Sequence, residues 1–214
     1  MTNSNQEKKS WAEEAVSFIK TLAFILAIAV GLRTCVIEPF KIPSGSMKNT
    51  LQIGDYILVL KFWYGLRLPY VTNSVAEWNA PKRADVVVFT RPNDPNTPGE
   101  DDSEIHIIKR VIGLPGDTVE IKSGEQGGGT VLINGQPIEE PYARWVDRGP
   151  NEGRPWGPKT VPPGHVLLLG DNRDQSKDSR FWTDPFLDIR RIKGKAVIIF
   201  WSWDKFSRIG TVIR

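Results

Sequence analysis

Three polar clusters in this chain of 214 residues hold the residue types that chemistry needs. The first is Pro43-Ser44-Gly45-Ser46-Met47. The second is Ile108-Lys109-Arg110, leading into Gly113-Leu114-Pro115-Gly116-Asp117. The third runs from Gly170 through Asp171, Asn172, Arg173, Asp174, Ser176 and Asp178 to Arg180. A serine hydroxyl attacks a carbonyl well only when a neighbouring base takes its proton. Histidine is the usual base, and His106 and His165 are the only two here. Lysine can replace it where a dry, apolar surrounding keeps the amine neutral. Lys109 sits among Ile105, Ile107, Ile108, Val111 and Ile112, and a strand would point it to the face of Ile107 and Val111. A lysine in such a run must snorkel, pair or work, and the acids from Asp171 to Asp178 are available to pair with Lys109 or with Arg110. Ser-Gly-Ser by itself reads as a turn. Its glycine also allows close backbone approach to a ligand, and an amide and a hydroxyl there can donate to an oxyanion.

Other chemistries have less material. One cysteine excludes an internal disulfide and a cysteine-cluster metal site, and two histidines leave little for zinc. The third cluster misses calcium-loop spacing, because Arg173 stands where a ligand belongs; it reads as a turn and ion-pair network. Residues 124–129 are glycine-rich but lack the Lys-Ser/Thr that completes a phosphate loop. A net charge of +3 is compatible with anionic lipid or nucleic acid and demonstrates neither. The basic run from Arg190 to Lys195 reads first as a solvated face.

The elements that must position these clusters divide the chain. Met1 to Lys9 is polar and reads as a disordered tail. Leu22 to Leu32 is free of charge, and the apolar stretch extends back to Ala15 with Lys20 as its one interruption. A membrane span needs about 20 mostly apolar residues. The expected organisation is therefore a tail (1–15), a transmembrane helix (16–36) and a part outside the membrane (37–214); Lys8, Lys9 and Lys20 before the core of the helix, against Arg33 and Lys41 after it, give a weak positive-inside signal for a cytoplasmic tail and an extracytoplasmic 37–214. A cleaved leader fits less well, since no Ala-x-Ala exit follows, and so does a buried helix of a soluble domain, because a segment apolar on every face belongs to the core of a large protein or to a membrane span. Beyond Pro39, strand-like runs recur at Tyr56–Leu60, Asp85–Thr90, Ile105–Ile112, Thr118–Ile121, Val131–Ile133, Val166–Leu169 and Lys195–Trp201, bounded by Gly, Pro and Asp. Asn134-Gly135 marks a hairpin. Arg91–Ser103 and Asp147–Lys159 read as surface loops, and Ser123–Thr130 as a hairpin tip. The fold class is mainly β, with a smaller inserted β region at about 122–165.

In this order behind an apolar helix, the clusters resemble the type I signal peptidases, the bacterial leader peptidase family of Ser-Lys serine proteases. The resemblance covers nearly all of Pro39 to Trp201. It rests on Pro43-Ser-Gly-Ser-Met47 with Thr50-Leu51, Gly54-Asp-Tyr-Ile-Leu-Val59, Ile108-Lys-Arg-Val-Ile-Gly-Leu-Pro-Gly-Asp117, Gly170-Asp-Asn-Arg-Asp174 with Ser176, and Asp178-Ser-Arg-Phe-Trp182. It implies Ser46 as nucleophile and Lys109 as general base. The Ser46 amide and Ser44 hydroxyl become oxyanion donors, and Ser176 hydrogen-bonds and orients the lysine. Asp178 and Arg180 form a supporting ion pair, and Phe40, Ile42, Met47, Leu51 and Ile108 line shallow pockets for small residues at −1 and −3 of the substrate. It further implies signal-peptide-bearing preproteins as substrates, bound as an added strand, and a place in the bacterial plasma membrane against lipid. Neither a metal nor an organic cofactor nor a nucleic acid partner is implied, and the enzyme is expected to act as a monomer. Trp201 and Trp203 are candidates for the bilayer interface or for the core.

Asn49 stands where proline is common in that family, Ala84 where glycine precedes the strand aspartate, and Thr183 where glycine follows the tryptophan. None removes a catalytic atom. Three other classes compete. A self-cleaving repressor-type peptidase would need a DNA-binding segment. A specialised conjugation- or organelle-type processing peptidase would share the dyad. An inactive membrane-anchored binding module would have no need of the Ser44, Ser46, Lys109 and Ser176 set.

Overall fold

The run Asp55-Tyr-Ile-Leu-Val-Leu60 alternates buried with half-buried side chains, the period-two pattern of a strand whose faces meet different surroundings. Strands of this kind dominate the structure, a computed structural model that describes residues 3–66, 76–77, 79–90, 106–124, 128–146 and 153–214. The elements are helix α1 (Asn3–Cys35), then β1 (Ile37–Lys41), β2 (Asp55–Leu60), β3 (Gly65–Leu66), β4 (Ala76–Glu77), β5 (Val86–Thr90), β6 (His106–Gly113), β7 (Thr118–Ser123), β8 (Gly129–Ile133), β9 (Gln136–Pro137), β10 (Trp156–Thr160), β11 (His165–Leu169), β12 (Leu187–Asp188) and β13 (Ile192–Ser202). A seven-stranded sheet has the order β1-β2-β13-β5-β6-β11-β12, a four-stranded one the order β10-β7-β8-β9, and β3 pairs with β4. All strand pairs are antiparallel.

The large sheet is buried on both faces at its centre. In β5, Val86 and Val88 join a cluster with Ile42, Met47, Leu51 and Ile57, while Val87 and Phe89 join another with Val111, Val166 and Leu168. A strand covered on both sides reads as a continuous apolar run, which is why Val-Val-Val-Phe carries no alternation. A third cluster, including Ile112, Val119, Val131 and Leu169, ties the small sheet to the end of β6 and to β11. Gly113 is the joint: a Cβ there would lie 2.8–3.0 Å from Val119, Val161 and Leu167. The large sheet also curls. Phe40 in β1 brings its ring within 5.3 Å of His106 in β6, four strands along the order, and leaves an open seam between them.

Three readings of the sequence change here. Asn3 to Lys9 are helical and not a disordered tail; Gln, Glu and Lys are good helix formers. Trp156 to Lys159, read as the end of a loop, belong to the edge strand β10, where Pro158 needs no ladder partner on its outer side. Ile37–Lys41 was not read as a strand; it too is an edge strand that contains a proline. The loop expected at 91–103 lies outside the described residues, as do 125–127 of the hairpin tip and 147–152 of the second loop.

Helix α1 packs little against the rest. Val16, Phe18, Ile19, Leu22, Phe24, Ile25, Leu26 and Ile28 are all exposed. Among the described residues no helix is long and apolar enough to cross a membrane. The expected span, 16–36, includes residues 29, 30 and 32–35, whose side chains are not among the described ones.

Two of the departures from the family pattern acquire a backbone meaning. Asn49 has φ +115° and Ala84 has φ +72°. Left-handed backbone is open to glycine and costs an L side chain on the order of 1–2 kcal/mol. Ala84 is held there because its N–H donates to the Val111 carbonyl (2.8 Å) and its carbonyl accepts from Arg110 (2.7 Å). Ala84→Gly is therefore expected to stabilise the fold by about 1 kcal/mol, raising Tm by about 2–4 °C. A melt in detergent that shows no increase would contradict the strain.

Candidate active site

Ser46 lies in the loop that follows β1, and its neighbours fix it. Met47 and Leu51 are fully buried and anchor a tight turn in which Leu51 N–H donates to the Met47 carbonyl (2.8 Å) and Lys48 N–H to the Gly45 carbonyl (3.0 Å). From the other side, Asn172 N–H donates to the Ser46 carbonyl (3.0 Å) and Asn172 Nδ2 to the Gly45 carbonyl (3.0 Å). Gly170 makes this approach possible, because a Cβ there would sit 2.5 Å from the Ser46 carbonyl oxygen and 2.2 Å from Ser176 Oγ.

Lys109 projects from β6, in register with Val87 of β5. Only 3% of it is exposed. Its Nζ stands 2.7 Å from Ser46 Oγ and donates to the Ile108 carbonyl at 2.9 Å. Burial disfavours the ammonium and pulls the lysine down to about 8, against the opposing pull of the Asp178 and Asp171 carboxylates. A substantial neutral fraction at mildly alkaline pH, in hydrogen-bond reach of a hydroxyl, is the geometry of a base poised on a nucleophile. Ser44, exposed, places its Oγ 3.5 Å from Ser46 Oγ.

The acids of the third cluster do not pair with the lysine. Asp171 takes Arg110 in a bidentate bond (Nε to Oδ1 2.8 Å, Nη2 to Oδ2 2.7 Å), with both side chains fully buried. Asp178 takes Arg180 (2.8 and 2.9 Å) and accepts from Gly170 N–H (2.9 Å). Of the two cations left open in the sequence, Arg110 is thus the paired one, and Lys109 has no ion pair among the described residues.

Some expected site residues stand elsewhere. Ser176 is buried, yet its Oγ has no hydrogen-bond partner among the described residues, so the expected bond to Lys109 is not formed. Met47 and Leu51 do not line the cleft beside the dyad; they belong to the core, because apolar side chains flanking a tight turn serve best as its anchors. Phe40, Ile42 and Ile108 do line that cleft, together with Ile57, Val88 and His106. It occupies the seam between β1 and β6. Two contributors were not singled out from sequence. One is Asn172, hidden inside a motif that read as acidic. The other is Glu140, which clamps the buried Arg173 guanidinium with two 2.6 Å bonds across a separation of 33 residues.

The chain is similar to known proteins along most of its length. The family model for "signal peptidase, peptidase S26" matches residues 15–201. The signal peptidase I of Pseudomonas fluorescens is 37% identical over 236 residues, covering 92% of this chain and 79% of its own. That of Leptolyngbya laminosa is 38% identical over 192 residues, covering 90% and 82%. A solved signal peptidase I of Enterococcus faecalis overlays 55% of this chain and 97% of its own at 27% identity, with a TM-score of 0.37.

Proposed function

Since the chain belongs to the signal peptidase family, peptidase S26, a family of serine peptidases, we propose that it removes signal peptides from exported preproteins by a Ser46–Lys109 dyad. The observation that carries this is the 2.7 Å approach of a nearly inaccessible lysine to a serine hydroxyl.

The chemistry follows from the geometry. Ser46 Oγ attacks the carbonyl carbon of the −1 residue while its proton passes to Lys109 Nζ. The Ser46 amide and Ser44 hydroxyl donate to the oxyanion. Collapse of the tetrahedral state breaks the C–N bond, and Lys109 returns the proton to the leaving amine. Water then attacks the Ser46 ester, with Lys109 again accepting the proton; collapse breaks the ester C–O bond, Lys109 returns that proton to Ser46 Oγ, and the signal peptide leaves as a carboxylic acid that ionises to the carboxylate. Asp178 with Arg180 supports the site: the ion pair holds the Gly170 turn, and the carboxylate raises the lysine towards the working range. Ser176 is positioned to orient the lysine only through a rearrangement that gives its Oγ a partner.

Substrate binding follows from the open seam. An extended peptide laid between β1 and β6 would act as an added strand, and its alternate side chains would face one way. The −1 and −3 residues would then turn into the cleft of Phe40, Ile42 and Ile108, which favours small side chains such as alanine. Incubating the full chain in detergent with a secretory preprotein tests this: product masses should place the cut after an Ala-x-Ala-type site. Cleavage after large or charged residues would contradict it.

The pH dependence is fixed by the lysine. Below about 8 Lys109 is mostly protonated and cannot take the Ser46 proton. Thus kcat/KM should rise about tenfold per pH unit through the acid range and level off near pH 8. A rate already maximal at pH 6 would show that another base acts.

The same reading places helix α1 in the bacterial plasma membrane, with 37–214 on the extracytoplasmic side. Its support is the all-round exposure of apolar side chains on α1. A second apolar patch comprises Phe200, Trp203, Phe206, Ile209 and Val212, each exposed, with Trp201 packed edge-on to Trp203 and Phe206. Tryptophan favours the membrane interface. Brominated lipids should quench the emission of the full chain less in Trp203→Phe than in wild type. Equal quenching would remove the patch from the bilayer surface.

A further inference from the structure

We propose that Asn172 is a positioning residue that aims the Ser46 amide at the oxyanion, and that the segment 140–146 returning from the small sheet holds Asn172 in place. The inference rests on Ser46 being the nucleophile. A trans peptide is planar, with its C=O and N–H pointing in opposite directions. Fixing the Gly45 carbonyl therefore fixes the direction of the Ser46 N–H. The Gly45 oxygen is held by two donors, Lys48 N–H and Asn172 Nδ2, each at 3.0 Å. Asn172 N–H holds the carbonyl on the other side of the serine. Both peptides that flank Ser46 are thus fixed by one residue that is 1% exposed. The orientation of its amide is set by its partners: the nitrogen faces two acceptors, the Gly45 carbonyl and Gln175 Oε1 (3.3 Å).

Asn172 is itself gripped from outside the large sheet. Arg144 N–H donates to the Asp171 carbonyl (2.6 Å), and Arg173 N–H donates to the Arg144 carbonyl (2.9 Å), so the backbone of 144 brackets Asn172. Side chains secure the same segment. Glu140 clamps Arg173, Tyr142 lies 3.8 Å from the Arg110 guanidinium, the Tyr142 carbonyl accepts from Asn49 (3.2 Å), and Trp145 packs against Gly128 and Gly129 of the small sheet. Ser46 is thereby referenced to the small sheet as well as to the large one.

Asn172→Asp keeps the shape and removes the donor; Asn172→Ala removes both. The full chain in detergent is assayed for preprotein cleavage and for binding of an Ala-x-Ala peptide aldehyde, whose carbonyl becomes tetrahedral on Ser46. Losing an oxyanion donor outright costs about 10²–10³ in kcat, so a misaimed one should cost about 10- to 100-fold. KM should change little, aldehyde affinity should fall in proportion to kcat, and in Asn172→Ala, which adds no charge, the midpoint of the pH profile should stay near 8. A merely structural role would lower Tm and leave kcat and aldehyde affinity at wild-type values below the melt; that result overturns the proposal, as does a midpoint that moves up with wetting of Lys109. If Asn172→Ala does not fold, the isosteric aspartate variant decides. Ser46→Ala run in parallel separates the two ideas: cleavage retained there overturns the nucleophile and the positioning together, whereas cleavage lost there with both Asn172 variants unimpaired overturns the positioning alone.

Discussion

Ser46→Ala and Lys109→Met should each lower preprotein cleavage at pH 8 by on the order of 10⁴-fold or more while leaving the protein folded. Members of a catalytic unit act together, and removing one loses nearly the whole effect. In the proposed mechanism, Ser46→Ala deletes the atom that forms the acyl bond. Lys109→Met deletes the amine that, among the described residues, hydrogen-bonds that atom, and retains a chain of similar length. The two variants should part company in stability. Burial already disfavours the Lys109 charge, and among the described residues the nitrogen has two hydrogen-bond partners, Ser46 Oγ and the Ile108 carbonyl. An apolar side chain suits such a place, so Lys109→Met should melt no lower than wild type. The folded-state value near 8 lies below the ordinary 10.5, so the unfolded chain holds the proton more tightly, and neutral pH is where this lysine costs stability. Rates within tenfold of wild type in either variant would remove that residue from the mechanism.

The adjacent residue should behave in the opposite way. Arg110→Met is expected to cost about 3–5 kcal/mol, the penalty for leaving a buried ion without its partner. Tm would fall by on the order of 10 °C for a chain of this size. The guanidinium is fully buried and has five N–H donors. Structure gives it five bonds: Nε to Asp171 Oδ1, Nη2 to Asp171 Oδ2 and Thr50 Oγ1, and Nη1 to the Ala84 and Arg214 backbone oxygens. Without it, Asp171 keeps only the Thr50 hydroxyl on its carboxylate (2.5 Å). The loss should reach the site, because Asp171 precedes Asn172 and its carbonyl is gripped by Arg144. Urea unfolding of Arg110→Met beside Lys109→Met measures the contrast between neighbouring cations. Equal stability in the two would contradict the assignment of one as structural and the other as chemical.

That contrast was only half legible in the sequence. The apolar run from Ile105 to Ile112 announces a buried strand, and two cations inside it announce that something must compensate them. Which cation takes the acid depends on a contact 61 residues away, between Arg110 and Asp171, and no local pattern encodes it. The strands were read where β-branched runs are bounded by turn residues. β1 and β10 escaped because each contains a proline and lies on an edge, where burial imposes no alternation. Ser46 and Lys109 were identified as a pair through resemblance, since 63 residues separate them. Met47 and Leu51 show the limit of that route: apolar residues beside a nucleophile can line a pocket or anchor its turn, and packing decided for the turn. Asn172 left no mark among its charged neighbours, because its importance lies in a backbone plane.

The most direct measurement of the central claim is to trap the acyl-enzyme. A preprotein or acylating peptide is quenched in acid after a few turnovers at pH 8, and the modified residue is located by mass spectrometry of the digested enzyme. The dyad predicts an ester on the peptide containing Ser46, absent from Ser46→Ala and from Lys109→Met. An adduct on any other residue, or one that persists in Ser46→Ala, would contradict it.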